Sequence, residues 1–333
     1  MNGKKKDRRS YLKYAAFVLA LTFFVSTALL LLNLWEKRQG AFPTQEVDGV
    51  LGKTVEFDGK SYVLSEDIET ALVIGLDKFD GQTDDTSYIN DQQADFLMLF
   101  VFDNKKAECT AVQINRDTMT DINILGVAGQ KINTETRQIA LAHTYGNGRN
   151  VSCRNTADAV SGLLYGVKID NYLSVTLDAV PVFNDLVSGV TLEVLDDFAG
   201  IDDTLVKGET VTLMGDQALC YVRTRYGMED STNEHRMKRQ QQYIRALYEK
   251  TKETAEQNEG FIAESTLKLS DYIVSNCTVN QLENLFGKIS SYKFNGIRNI
   301  EGESQKGEEF IEFYPDETSL KNMIVELFYK PEE

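Results

Sequence analysis

From Tyr14 to Leu34 the chain reads YAAFVLALTFFVSTALLLLNL, 21 positions without a charge. At 1.5 Å per residue a helix of that length spans about 30 Å, the thickness of a bilayer core. No polar face interrupts it, unlike the amphipathic helix of a soluble core. Later apolar runs are too short to return, so one membrane-spanning anchor at 14–34 is expected. After a stretch containing Gly40, Pro43, Gly49 and Gly52, TVEFDGKSYVL places two β-rich arms around Asp58-Gly59 and predicts a hairpin. Residues 35–70 are read as a linker with this accessory hairpin.

From residue 71 the pattern changes. ALVIGLD is a buried-strand run ending at Asp77, FLMLFVFD starts just after Asp95, and AECTAVQIN leads into Arg116-Asp117 after a tight DNKK turn. FLMLFVF is apolar on both faces and predicts a central strand covered by helices on each side. If these strands are sequential antiparallel neighbours, the end of the first, the start of the second and the end of the third share one sheet edge. Asp77, Asp95 and Arg116 then meet there.

TETRQIALAHTYG and RNTADAVSGLLYG carry helical patterns, each ending near glycine. DNYLSVTL and VTLEVL read as strands, with PVFNDLVSG between them as a short helix opened by Pro181. GDQALCYVR predicts a helix delivering Arg223 with Arg225 just beyond, and NEHRMKRQQQYIRALYEK one with Arg236 and Gln240 at i and i+4 on one face. Beyond about residue 253 the chain reads as helix-rich and acidic, closed by a helix in EFYPDETSLKNMIVELFYK. The expected fold is α/β: a three-layer α/β/α sandwich around a mixed, partly antiparallel sheet, preceded by one N-terminal transmembrane helix. The domain takes residues 71–333, with core motifs in 71–250 and a C-terminal helical part in 251–333.

Charge assigns the sides of the membrane. Lys4, Lys5, Lys6, Arg8, Arg9 and Lys13 make residues 1–13 a basic cytoplasmic tail, so the rest is extracytoplasmic and the protein a single-pass cell-membrane protein. A cleaved signal peptide is the rival reading, but it wants a shorter apolar region and a small-residue cleavage site that AFPTQ supplies poorly. Residues 1–40 hold eight Lys/Arg and two Asp/Glu, which leaves 27 cations against 49 anions, net -22, for the remainder. So acidic an exterior argues against nucleic acid as a partner. The cluster from Arg223 to Arg239 is a local inversion of that field.

Several arginines facing one site suit a bidentate anion such as a diphosphate, and two nearby carboxylates suit magnesium, or manganese in its place. Each residue alone has a plainer reading, as a turn cap, a salt bridge or a solvated helix face. Other classes lack their parts. There are two histidines, His143 and His235, no G-x-S-x-G, and four widely spaced cysteines, better read as small buried residues than as zinc ligands.

IGLD at 74–77, QADFLMLFV at 93–101, INRDT at 114–118, KIN at 131–133, ALAHTYG at 140–146, GVKIDNY at 166–172, GDQALCYVRTRY at 215–226 and RMKRQQ at 236–241 together resemble the LytR-CpsA-Psr family of cell-envelope glycopolymer transferases. The resemblance implies a magnesium-using phosphotransferase. It would move a glycopolymer, such as teichoic acid or capsular polysaccharide, from a polyprenyl-diphosphate carrier onto peptidoglycan, releasing polyprenyl phosphate. It implies that Asp77 and Asp95 serve the metal, and that Arg116, Arg223, Arg225, Arg236 and Gln240 grip the phosphates, with Lys131 and Asn133 as weaker carry-overs. It also implies an apolar lipid tunnel beside the sheet, which FLMLFVF and the helix near VSGLLYG are expected to line. One position departs: Gln93 stands where the family usually has arginine, so one cationic diphosphate contact is replaced by an amide. That favours, as the alternative, a weakly active binding or regulatory envelope protein. No general base is identified, since Asp77 cannot be both a free base and a held metal ligand.

Overall fold

The computed structural model describes residues 52–57, 59–77, 90–224 and 233–332. The expected anchor, Asp58 and Arg225 lie outside them. Among the described residues no helix is long and apolar enough to cross a membrane.

The chain enters through β1 (Thr54–Phe57) and β2 (Lys60–Leu64), the hairpin expected around Gly59. β3 (Ile68–Leu76), β4 (Phe96–Asp103) and β5 (Glu108–Ile114) then lie side by side and antiparallel, with Ala71 opposite Phe100 and Phe100 opposite Ala111. After a second hairpin of β6 (Met119–Leu125) and β7 (Lys131–Gln138), helix α1 (Asn150–Leu163) carries the chain across the sheet to β8 (Asn171–Thr176), which pairs parallel with β3. Next come α2 (Ala179–Leu186), the paired strands β9 (Val190–Glu193) and β10 (Thr210–Leu213), α3 (Asp216–Arg223), the long α4 (Asn233–Gln257) and α5 (Phe261–Leu269). The last part holds β11 (Ile273–Ser275), α6 (Val279–Ser291), β12 (Lys293–Asn299), the hairpin β13 (Gly302–Lys306) and β14 (Ile311–Pro315), α7 (Glu317–Phe328) and β15 (Tyr329–Pro331).

The central sheet is mixed and six-stranded, ordered β11-β8-β3-β4-β5-β12. β4 sits inside it, as its two-faced apolar pattern requires. Leu72, Ile74, Leu97, Leu99 and Val101 face the core shared with α1 and α7. Met98, Phe100 and Phe102 face the opposite side, toward Leu285 of α6 and Ile244 of α4. A third cluster around Phe198, Leu213, Tyr221 and Leu247 joins β9 and β10 to α3 and α4.

Three expectations change. Residues 134–138 of TETRQIALAHTYG form strand, not helix, because Thr134 and Thr136 pair with Asn123 and Asp121 of β6; only Ile139–Thr144 coil, as a 3-10 turn. Helix α2 begins two residues before Pro181, within the first turn, where a missing N–H costs nothing. The C-terminal part is not helical alone: β11 and β12 complete both edges of the central sheet.

Candidate functional site

The site grows from the antiparallel register. Gly75 pairs with Phe96, and the Asp95 N–H donates to the Gly75 carbonyl at 2.9 Å, so Asp77 and Asp95 flank one strand end. Ile114 pairs with Leu97, which brings Arg116 to the same edge. There Arg116 Nη1 is ion-paired with Asp95 Oδ1 and Nη2 donates to Gln93 Oε1. Its Nε lies 3.7 Å from Asp117 Oδ1. The glycine of IGLD is sterically fixed, since a Cβ at Gly75 would stand 2.7 Å from the Phe96 Cβ.

Helix α3 ends at this edge, and Arg223 Nη2 lies 3.4 Å from Asp77 Oδ1. The start of α4 closes over it. Asn233 Nδ2 donates to Asn115 Oδ1 at 2.8 Å, and Arg236 Nη2 donates to Asn233 Oδ1 at 2.7 Å. One turn on, Gln240 Nε2 donates to the Val222 carbonyl and its Oε1 accepts from Gln113 Nε2, both at 3.3 Å. The structure thus brings together Asp77, Gln93, Asp95, Arg116, Arg223, Arg236 and Gln240.

Lys131 and Asn133 lie elsewhere. They pair with Leu125 and Ile124, about 20 Å along β6 from its start next to Arg116, and Lys131 acts electrostatically on Asp158 of α1. Lys238 and Arg239 share α4 without sharing its site face. Arg239 is 1% exposed, bonded to Asp196 at 2.9 Å and stacked over Phe198. Burial presses its pKa down against the pull of Asp196. Asn115, Asp117, Asn233 and Gln113 escaped the sequence reading, although INRDT contains two of them.

Beneath the edge, between β4 and α4, lies an apolar cavity of about 250 Å³. Gly75, Phe96, Val222 and Gln240 line it, and three of these adjoin or nearly adjoin Asp77, Asp95 and Arg223. It continues past Met98 and Phe100 to Phe102, a further 20 Å of strand at about 3.3 Å per residue. The FLMLFVF strand therefore lines it as expected, but α1, with VSGLLYG, packs on the other face of the sheet, and α4 and α6 take its place.

Among the described residues no three His, Cys, Asp or Glu side chains converge to cage a metal. The two carboxylates at the edge nevertheless match a hard cation that binds through one or two carboxylates and draws its other ligands from water and phosphate. Away from the edge, His143 is buried, with Nδ1 3.0 Å from the Gln92 carbonyl, and desolvation lowers its pKa to about 4. Cys109 and Cys153 are buried thiols whose pKa values desolvation raises to about 12 and about 11.

The LytR_cpsA_psr family matches residues 39–328. An uncharacterised protein of Staphylococcus aureus is 26% identical over 249 residues, covering 73% of this chain and 57% of its own. The polyisoprenyl-teichoic acid–peptidoglycan teichoic acid transferase TagU of Halalkalibacterium halodurans is 28% identical over 196 residues, 59% of this chain and 56% of its own. The chain thus spans a little over half the length of these curated relatives. Among solved structures, TagT bound to LI-WTA superposes with a TM-score of 0.59 at 19% identity, covering 79% of this chain and 90% of its own. Bacillus subtilis TagV superposes with 0.59 at 22%, covering 79% and 98%. At such identities the superpositions speak for a shared fold.

Proposed function

The chain belongs to the LytR_cpsA_psr family, and from that premise we propose that it is a glycopolymer transferase of the cell envelope. In this reading it takes a polymer of teichoic acid type from a polyprenyl-diphosphate carrier and joins it to peptidoglycan. One observation carries the reading: the edge of arginines and carboxylates borders an apolar cavity, whose lining residues Gly75, Phe96 and Val222 adjoin or nearly adjoin Asp77, Asp95 and Arg223 and whose wall includes Gln240. A molecule with a diphosphate head and a polyprenyl tail has the chemistry of both halves.

The reaction exchanges the phosphoanhydride linkage of the donor for a phosphoester to the acceptor. A hydroxyl oxygen of the acceptor bonds to the phosphorus that bears the polymer, and the bridging P–O bond to the lipid phosphate breaks. Polyprenyl phosphate leaves with the electron pair, while the hydroxyl proton passes to a base. Arg116, Arg223, Arg225 and Arg236 orient the diphosphate and offset charge growing on the leaving group. Gln240 sits where polar edge meets apolar cavity and sets the depth of the head. Asp77 and Asp95 would hold magnesium, which would supply charge neutralisation. The apolar wall from Phe96 to Phe102 takes the lipid. An N-terminal membrane anchor, with the domain outside the cell, places such an enzyme beside a membrane-borne donor.

The test is release of polyprenyl phosphate from a polyprenyl-diphosphate donor in the presence of magnesium. Arg223→Ala combined with Arg225→Ala is expected to lower the rate at least ~100-fold, in the range for losing preorganised charge stabilisation. Normal turnover by the double variant would sink the assignment.

A further inference from the structure

The two ion pairs at the edge differ in kind. Arg223 and Asp77 are 58% and 55% exposed and stand 3.4 Å apart, a loose and solvated pair. Arg116 and Asp95 are 17% and 28% exposed and in direct contact. Arg116 also donates from two of its guanidinium nitrogens to protein acceptors, Nη1 to Asp95 and Nη2 to Gln93, while Nε is within ion-pair range of Asp117 at 3.7 Å. So placed, Arg116 has one N–H committed to Asp95 and one to Gln93, so it meets a diphosphate with fewer donors and a partly compensated charge, and Asp95 shares its carboxylate with the arginine until the pair separates.

We propose that Gln93 is a positioning residue that, with Asp95, latches Arg116 in the resting site, and that a divalent cation opens the latch by taking Asp95, which frees Arg116 for the diphosphate. The inference rests on the transferase reading and gives Gln93 a role of its own within it. Its Oε1 is an acceptor aimed at Arg116, so the amide acts on the arginine rather than on the phosphate. A cation at position 93 would repel Arg116 and compete for Asp95. A neutral carbonyl instead completes a two-point fork around one guanidinium.

The consequence is an order of events. A metal at Asp95 takes away the carboxylate in direct contact with Arg116, leaving the more distant Asp117, and the less compensated guanidinium then attracts the anion. Metal and diphosphate become linked through one side chain, each favouring the other.

The discriminating variant is Gln93→Met, which keeps charge and approximate volume but removes the carbonyl. Mn2+ binding to the full-length protein in detergent micelles, read by electron paramagnetic resonance without any phosphate, reports on Asp95 directly. Losing a hydrogen bond to a charged group at a partly exposed site should tighten Mn2+ binding by about three- to tenfold. Arg116→Ala should tighten it further, and Asp95→Asn should weaken it below wild type. A role confined to packing would leave the metal affinity of Gln93→Met unchanged or reduced, and that result overturns the latch whatever the turnover. Loss of the transferase reading shows separately, as wild-type protein that binds Mn2+ in the expected order but releases no polyprenyl phosphate.

Discussion

Burial of His143 makes the fold sensitive to acid at a single residue. Desolvation holds the folded pKa near 4, whereas an unfolded histidine titrates near 6.5. Above about pH 6.5 both states are neutral and the full stability is present. As the pH falls below that value the unfolded chain binds a proton that the folded chain cannot, so stability drops until about pH 4. Between pH 7.5 and pH 5 this one group should cost about 2 kcal/mol. Urea midpoints of wild type and His143→Gln at the two pH values measure it, and the variant should lose that much less on acidification. At the same scale, Asp77, Asp95 and Arg116 were legible in the sequence because each adjoins a strand end. The hold of Gln93 on Arg116 was not, since no periodicity encodes a contact between two loop side chains. The amide chain from Gln113 through Gln240 to the Val222 carbonyl stayed hidden for the same reason.

Helix α4 is the element that joins head and tail of the proposed substrate. Its first turns carry Arg236 and Gln240, and its next carry Tyr243, Ile244 and Leu247 along the cavity. Ile244→Trp should fill the cavity without touching the polar edge. Polyprenyl phosphate release from a long-chain donor is expected to fall at least ~10-fold, and release from a donor with a shortened lipid to fall less. The melting temperature should hold, since the added ring occupies existing space. The triplet β3, β4 and β5 could be read from sequence because long apolar runs separated by short turns leave few pairings. β7 was misread because its charged and hydroxyl side chains alternate on a strand with little burial, which helical spacing mimics over five residues. β12 gave no signal at all. Gly296 interrupts it at a register shift, and its partner β5 lies far away in sequence, so nothing local records the pairing.

At the scale of the whole molecule the sheet is closed from the C-terminal side. β11 covers the free edge of β8 and β12 that of β5, while Leu320, Met323, Ile324 and Phe328 of α7 enter the core beside α1. β15 then pairs with β2, joining the end of the chain to the entry hairpin. A chain truncated after Ser270 keeps every residue assigned to the site yet loses both edge strands and α7. It is expected to show no cooperative thermal transition by circular dichroism, where the full chain melts in one step. The mixed α/β class followed from alternating strands and helices, but the strand order did not, because its outer members arrive last.

Late arrival has a cost in time. At about 5–20 residues per second, a ribosome needs roughly 10 to 35 s to pass from Ile114 at the end of β5 to Lys293 at the start of β12. Throughout that interval the nascent chain carries a bare strand edge whose backbone N–H and C=O groups would accept a strand from a neighbouring polypeptide as readily as its own. Only the pairing of β12 with β5 removes that edge, so the hazard belongs to synthesis and ends with it.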